Sequence, residues 1–414
     1  MAALWPSPWP AEDGGPQRRQ VPRTGGGLGL RPGEQLVATS RTAIASTMVV
    51  LREPGEVFLL CHTGGDDAVA WVERIEPVTL EPLARSADLP GGPTWPGGVA
   101  AHADGSLQVV FGNHAHRLAA DLAVEAAVEL PRCKPYNSFV TLSGGQLVTK
   151  DFAGARPGLP ADGEPSELLV LDPLDLRVLA RHELPEGSVA RLSADGDDVY
   201  VVGTEHLFRL RWDGTGLVPE LQVRYRTMEG QTHGWDCVIA GGAAWFLDDG
   251  AGSERYAGTF RGQGTSTAPL HLVRVGLDDG AVSLTEVCGL PGGLIANPPA
   301  VDEARGVVVG YDSGNGVVAA FSFDDGGVTA PRWRRDLDHA AHPLLFADTG
   351  ELVLGDHDAA RGADQVVVVD VATGEERGRC DTGSPVQSVL FPAPGFARDL
   401  YVCSFTTVAR VTVA

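Results

Sequence analysis

From about residue 31 onward the apolar residues come in short runs, each closed off by Gly, Asp or Pro. EVFLLC (56–61), SLQVVF (106–111), QLVT (146–149) and DVYVVG (198–203) are four of them. AAWFL (243–247), GVVVG (306–310), ELVLG (351–355) and DLYVC (399–403) are four more. β-Branched and aromatic residues bracketed by turn residues read as strands. No segment shows the 3.6-residue period of an amphipathic helix. Each run follows another short strand and a tight turn, such as AHADGS or FADTGE. Each precedes a third strand and often a fourth. The runs recur at intervals of roughly 40–60 residues, the size of one four-stranded blade.

This repeat predicts an all-β chain folded as a single β-propeller of about eight four-stranded blades, or seven if one unit is split wrongly. The last unit supplies three strands. The stretch GEQLVATSR (33–41) has no partner before the first full unit. It is expected to close the last blade as the outer strand, which removes the exposed edges of an open sheet. Residues 1–30, rich in Pro, Gly and Arg, read as a flexible lead-in, and residues 31–414 as the propeller domain.

The net charge is -22, from 54 acidic and 32 basic residues. Such a surface repels DNA and anionic membranes, so neither is expected as a partner. The N-terminal residues lack an apolar core after a basic start, and no run of 18 apolar residues follows, which points to a cytoplasmic protein. The six cysteines are scattered without a CxxC pair and read as reduced thiols. Closed propellers are self-sufficient, so a monomer is expected.

Propeller topology says where chemistry can sit. The residues just before the innermost strand and just after the second strand of every blade converge around one mouth of the central channel. Eight of the 11 histidines map there: His62, His114, His116, His206, His233, His339, His342 and His357. Histidine exchanges protons near neutral pH and ligates metals. Asp236 maps beside them, and His233, Asp236, His342, His114 and His357 are the candidate catalytic groups. Trp95, Tyr136, Trp235, Tyr311 and Phe405 fall at the same mouth and are the candidate wall of a substrate pocket. The insertion DGAGSERYAGTFRGQGTSTA (249–268) reads as a loop over this face. The bland reading of every one of these residues is a polar turn or blade packing.

Three resemblances add to this. Tyr136-Asn137-Ser138 followed by LSGGQLVTKDF is similar to the gluconolactonase and senescence-marker type of propeller. That resemblance implies a divalent cation at the channel mouth, with Asn137, Asn297 and Asp249 as ligands; calcium is favoured over iron or zinc for such an oxygen-rich set. That family has six blades, fewer than the repeat gives here. A set of four histidines from different blades would resemble the iron centre of carotenoid-cleaving oxygenases, whose other motifs are missing. VVVVDVATGEERGR (366–379) resembles the repeat of quinoprotein dehydrogenases, which have eight blades. Arg379 stands where that repeat ends in tryptophan, and the adjacent cysteines that accompany the quinone are missing, so pyrroloquinoline quinone is not expected.

The sequence therefore favours an enzyme acting on a small, partly apolar molecule at the channel mouth by His/Asp acid–base chemistry. Lyase, isomerase, cyclase and lactone hydrolase reactions all fit, with or without a metal. The alternative is a non-catalytic propeller that binds a protein or peptide on the same face.

Overall fold

A computed structural model describes residues 3–153, 164–255, 258–295 and 297–414, without the side chains of Asn137 and Glu254. It is an all-β propeller of eight blades, with strands A to D counted outward from the axis. Blade 1 is Ser46–Leu51, Val57–His62, Ala68–Ile75 and Pro82–Arg85, with Leu89–Gly92 added beside its third strand. Blade 2 is Gly98–Ala101, Leu107–Phe111, His114–Leu118 and Val124–Glu129. Blade 3 is Tyr136–Thr141, Leu147–Asp151, Glu167–Leu171 and Val178–Glu183. Blade 4 is Ser193–Asp195, Asp198–Val202, His206–Trp212 and Leu217–Arg224. Blade 5 is Val238–Ala240, Ala243–Leu247, His271–Gly276 and Val282–Glu286. Blade 6 is Ala300–Asp302, Val307–Asp312, Val317–Asp324 and Gly327–Asp336. Blade 7 is Leu344–Phe346, Glu351–Asp358, Ala363–Asp370 and Glu376–Asp381.

Blade 8 closes the ring. Its strands Phe391–Pro394, Asp399–Cys403 and Thr407–Val413 take Leu36–Thr42 as the outermost strand, antiparallel, from Leu36 opposite Val413 to Thr42 opposite Thr407. The expected closure is therefore observed. No helix of the described residues is long and apolar enough to cross a membrane.

The burial pattern explains why the B strands are continuous apolar runs. Val57–His62 and Val307–Asp312 are buried at every position because each face of a blade packs on a neighbouring blade. The outermost strands instead show mixed exposure, as in Leu217–Arg224. Pro82, Pro219 and Pro331 lie on outermost strands at register shifts. A proline and a bulge on an edge strand block pairing with another chain.

The lead-in departs from expectation. Trp9, Asp13, Arg18, Gln20 and Leu28 are all buried. The segment crosses the face that carries the A–B turns and touches all eight blades. Leu51 of blade 1 donates its N–H to Trp9, Trp5 donates to Ala101 of blade 2, and Arg18 reaches Ser138 of blade 3. Ala194 of blade 4 donates to Pro16, Ile239 of blade 5 to Gln17, and Leu345 of blade 7 to Gln20. Arg19 pairs with Glu303 of blade 6, and Arg398 of blade 8 donates to the Leu28 carbonyl. The Pro and Gly residues that suggested flexibility shape bends instead. Gly14 has φ +81°, and a Cβ there would lie 2.7 Å from the Val21 carbonyl oxygen.

Candidate functional site

In every blade the A–B turn faces the lead-in, so the loops entering strand A and leaving strand B gather on the opposite mouth. The loops of blade 5 bring together the tightest group of predicted residues. Trp235 precedes the strand Val238–Ala240, and its backbone N–H is fixed on the Leu247 carbonyl at 2.9 Å. Its indole Nε1–H donates to Asp249 Oδ2 at 2.6 Å, and the Ile295 N–H donates to Asp249 Oδ1 at 2.5 Å. His233 Nε2 stands 3.8 Å from Asp249 Oδ2, and its ring meets the Trp235 indole edge-on at 5.5 Å. The Asp249 side chain is 2% exposed and that of His233 18%, so the acid lies behind and the imidazole in front.

Burial pushes the Asp249 carboxyl well above the ordinary range. Trp235 and Ile295 oppose this only in part, and the nearby Asp248 and Asp312 add to it. A buried carboxyl near like charges keeps its proton. Asp248 itself is committed to the Gln231 amide and to the N–H and ring of His271.

This geometry sets a stability test. The folded protein holds a proton on Asp249 that the unfolded chain releases above about pH 4. The contribution of this group therefore falls as pH rises from there toward the folded value. Asp249→Asn presents an NH2 to one of the two N–H donors and should cost about 1–3 kcal/mol at pH 4. The deficit relative to the parent should then shrink as pH rises, read from paired thermal melts.

Of the expected wall residues, Tyr311 is buried in the interior and Trp95 is half-buried. Trp95, Trp235 and Tyr311 belong to one apolar cluster with Phe152 and Ile295, and Trp95 lies 4.8 Å from Phe152 between ring centroids. The Asn297 side chain stands beside the buried Tyr311 hydroxyl. The insertion after Asp249 is fastened over blade 6: Gly262 donates to the Gly314 carbonyl, and Arg261 pairs with Asp338.

Other predicted residues are placed differently. His342 and Asp236 are buried; His342 holds the lead-in directly and Asp236 fixes Arg191, which does so in turn. His342 Nδ1 meets Asp13 Oδ1 at 2.8 Å, and Asp236 accepts the Arg191 N–H at 2.6 Å. Arg18 lies between Glu12 and Asp13, at 2.9 and 2.8 Å, and Arg191 reaches Glu12 at 3.2 Å. Burial alone would raise Asp13; His342 and Arg18 outweigh it and hold the carboxyl far below its ordinary range. Tyr136 is fully buried, and its hydroxyl accepts the Arg132 N–H, so it is interior rather than wall. His114 sits on blade 2, stacked on His116 and bonded to the Gly91 carbonyl. Phe405 packs edge-on against Phe391 of blade 8.

His357 forms another histidine–carboxylate pair, its Nδ1 3.0 Å from Asp364 Oδ1. Burial pushes Asp364 up to about 6 against the pull of that imidazole. The side chain of Asn137 lies outside the described residues. Both Asp249 oxygens already accept N–H donors, and Asn297 faces Tyr311. Among the described residues no three His, Cys, Asp or Glu side chains are grouped to hold a metal ion. Sequence reasoning missed Glu12, Asp13, Arg18, Arg191 and Asp364. Trp5 and Trp9 in the lead-in were the available signal, since a disordered tail seldom carries two tryptophans.

No protein-family model matches the chain, and no curated protein matches it. Solved structures do. BamB from Moraxella catarrhalis superposes with a TM-score of 0.57 at 15% identity, over 89% of this chain and 100% of that one. The quinohemoprotein alcohol dehydrogenase ADHIIG from Pseudomonas putida HK5 gives 0.66 at 9% identity, over 99% and 80%. The quinohemoprotein alcohol dehydrogenase from Comamonas testosteroni gives 0.63 at 11% identity, over 97% and 80%. At such identities the likeness establishes the propeller fold, which serves unrelated functions.

Proposed function

We propose that the protein is an enzyme that moves a proton on a small, partly apolar molecule at the channel mouth, through His233 and Asp249 beside Trp235. The observation that carries this reading is the pairing of a buried carboxyl, gripped by two N–H donors, with a part-exposed imidazole 3.8 Å away. A carboxyl kept neutral by its surroundings can donate a proton near pH 7, and an imidazole can accept one. Trp95, half-buried against the apolar cluster that includes Trp235, supplies the surface against which an apolar body would rest. Isomerisation, elimination, ring formation and lactone opening all need such a donor–acceptor pair.

The test starts from a panel of small lactones, epoxides and cyclic hydroxyketones. Those that raise the melting temperature are assayed for conversion by mass spectrometry. His233→Gln should lower conversion at least about 100-fold, the lower end of general acid–base contributions, while the melting shift persists. Undiminished conversion in that variant would overturn the assignment. No small-molecule hit, with a peptide bound on this face instead, would favour a non-catalytic scaffold.

A further inference from the structure

On the opposite face, where the lead-in crosses the A–B turns, the chain encloses a second site. A cavity of about 370 Å³ lies between the lead-in and the turns of blades 3 and 4. Its wall is formed by both limbs of the lead-in, with Thr141 and Ser143 from one turn and Ala194 and Gly196 from the other. The volume is in the range that takes a small organic molecule.

The charge of the wall identifies the ligand. The chain as a whole carries 54 acidic residues against 32 basic ones. The cavity lining itself carries Arg18, Arg19 and Arg23 against the carboxylate of Asp13, with Asp195 and Asp197 behind it, held by Gln17 and Ser143. Asp13 is already paired with Arg18 and hydrogen-bonded to His342. Arg19 pairs with Glu303. Among the described residues no carboxylate lies within ion-pairing distance of Arg23. Arg23 is exposed at the cavity rim, where partial desolvation lowers its pKa. The lining thus carries more arginine than carboxylate, and the Arg23 guanidinium at its exposed rim makes no ion pair. Arginine forks match the planar or tetrahedral oxygens of carboxylates and phosphates.

We infer that this cavity binds a small carboxylate or phosphate anion, held by Arg23 with support from Arg19. Such a ligand joins the lead-in to blades 3 and 4. Its wall also includes Asp13 and Arg18, the two residues through which the lead-in reaches His342 and Ser138. Occupancy therefore stabilises the segment that closes the channel, as any ligand selective for the folded state does.

The experiment measures the melting temperature of the full chain against inorganic phosphate and against succinate, with sodium chloride holding ionic strength constant. The expected result is a saturating rise with one or both anions. Saturation with phosphate alone assigns a phosphate ligand, and saturation with succinate alone a carboxylate. Arg23→Gln should raise the half-saturating concentration at least tenfold. Because Arg23 makes no ion pair, its unliganded melting temperature should match the parent, which separates lost binding from lost folding. A rise that is linear, or equal in the parent and Arg23→Gln, would overturn the proposal.

Discussion

Removal of residues 1–30 is expected to abolish cooperative folding, although the outer strand Leu36–Thr42 that closes blade 8 is kept. The deleted segment buries Leu4, Trp9 and Leu28. Full burial of one such side chain is worth about 1.5–3 kcal/mol. The deletion also strips Arg191 and His342 of their buried partners Glu12 and Asp13, and breaking one buried ion pair costs about 3–5 kcal/mol. Together these losses rival the roughly 5–15 kcal/mol that holds a whole domain folded. Circular dichroism melts and size-exclusion chromatography of the truncated chain check this. A sharp melt within a few degrees of the parent would show that the segment is dispensable.

Within that segment, Arg18→Met should produce the largest effect of any single substitution. The Arg18 guanidinium donates to the Leu192 carbonyl at 2.6 Å, to Asp13 at 2.8 Å and to Ser138 Oγ at 3.0 Å. It is 2% exposed, so water cannot replace it. Methionine fills much of the volume but leaves Glu12 and Asp13 as buried carboxylates with too few cations. The expected loss is about 3–5 kcal/mol. With an unfolding entropy of roughly 2 cal/mol/K per residue, this is a fall of about 4–6 °C in melting temperature. The pH dependence has a definite sign. Asp13 is held below its ordinary range, so its stabilisation is present above about pH 4 and fades as pH falls toward the folded value. Arg18→Met should lessen that acid-side loss. Adding Glu12→Gln and Asp13→Asn should restore part of the stability, because the uncompensated charges are then gone.

The propeller was legible because its blades repeat a local pattern. Strands such as Val57–His62 and Val307–Asp312 are apolar throughout since both faces are covered, and the turns that punctuate them carry Gly and Asp. Closure by Leu36–Thr42 followed from counting strands. The mouth face was legible from topology, and it placed His233, Trp235 and Asp249 on neighbouring loops. What sequence could not supply was which polar residues face inward. His342 and Asp236 carry the residue types of a catalytic site, but their partners Asp13 and Arg191 are 329 and 45 residues away in the chain. The lead-in was misread because its Pro and Gly content suits a tail as well as a folded strap. Only its long-range contacts, such as Arg18 to Leu192, distinguish the two.

In the proposed reaction the mouth of the propeller moves protons through His233 and Asp249. Solvent isotope incorporation tests it most directly. Ketone and lactone members of the small-molecule panel, incubated with the protein in D2O, should gain deuterium at carbon next to the carbonyl, as seen by mass spectrometry. The gain should vanish with His233→Gln. No deuterium uptake with the parent protein, or equal uptake with His233→Gln, would contradict the account.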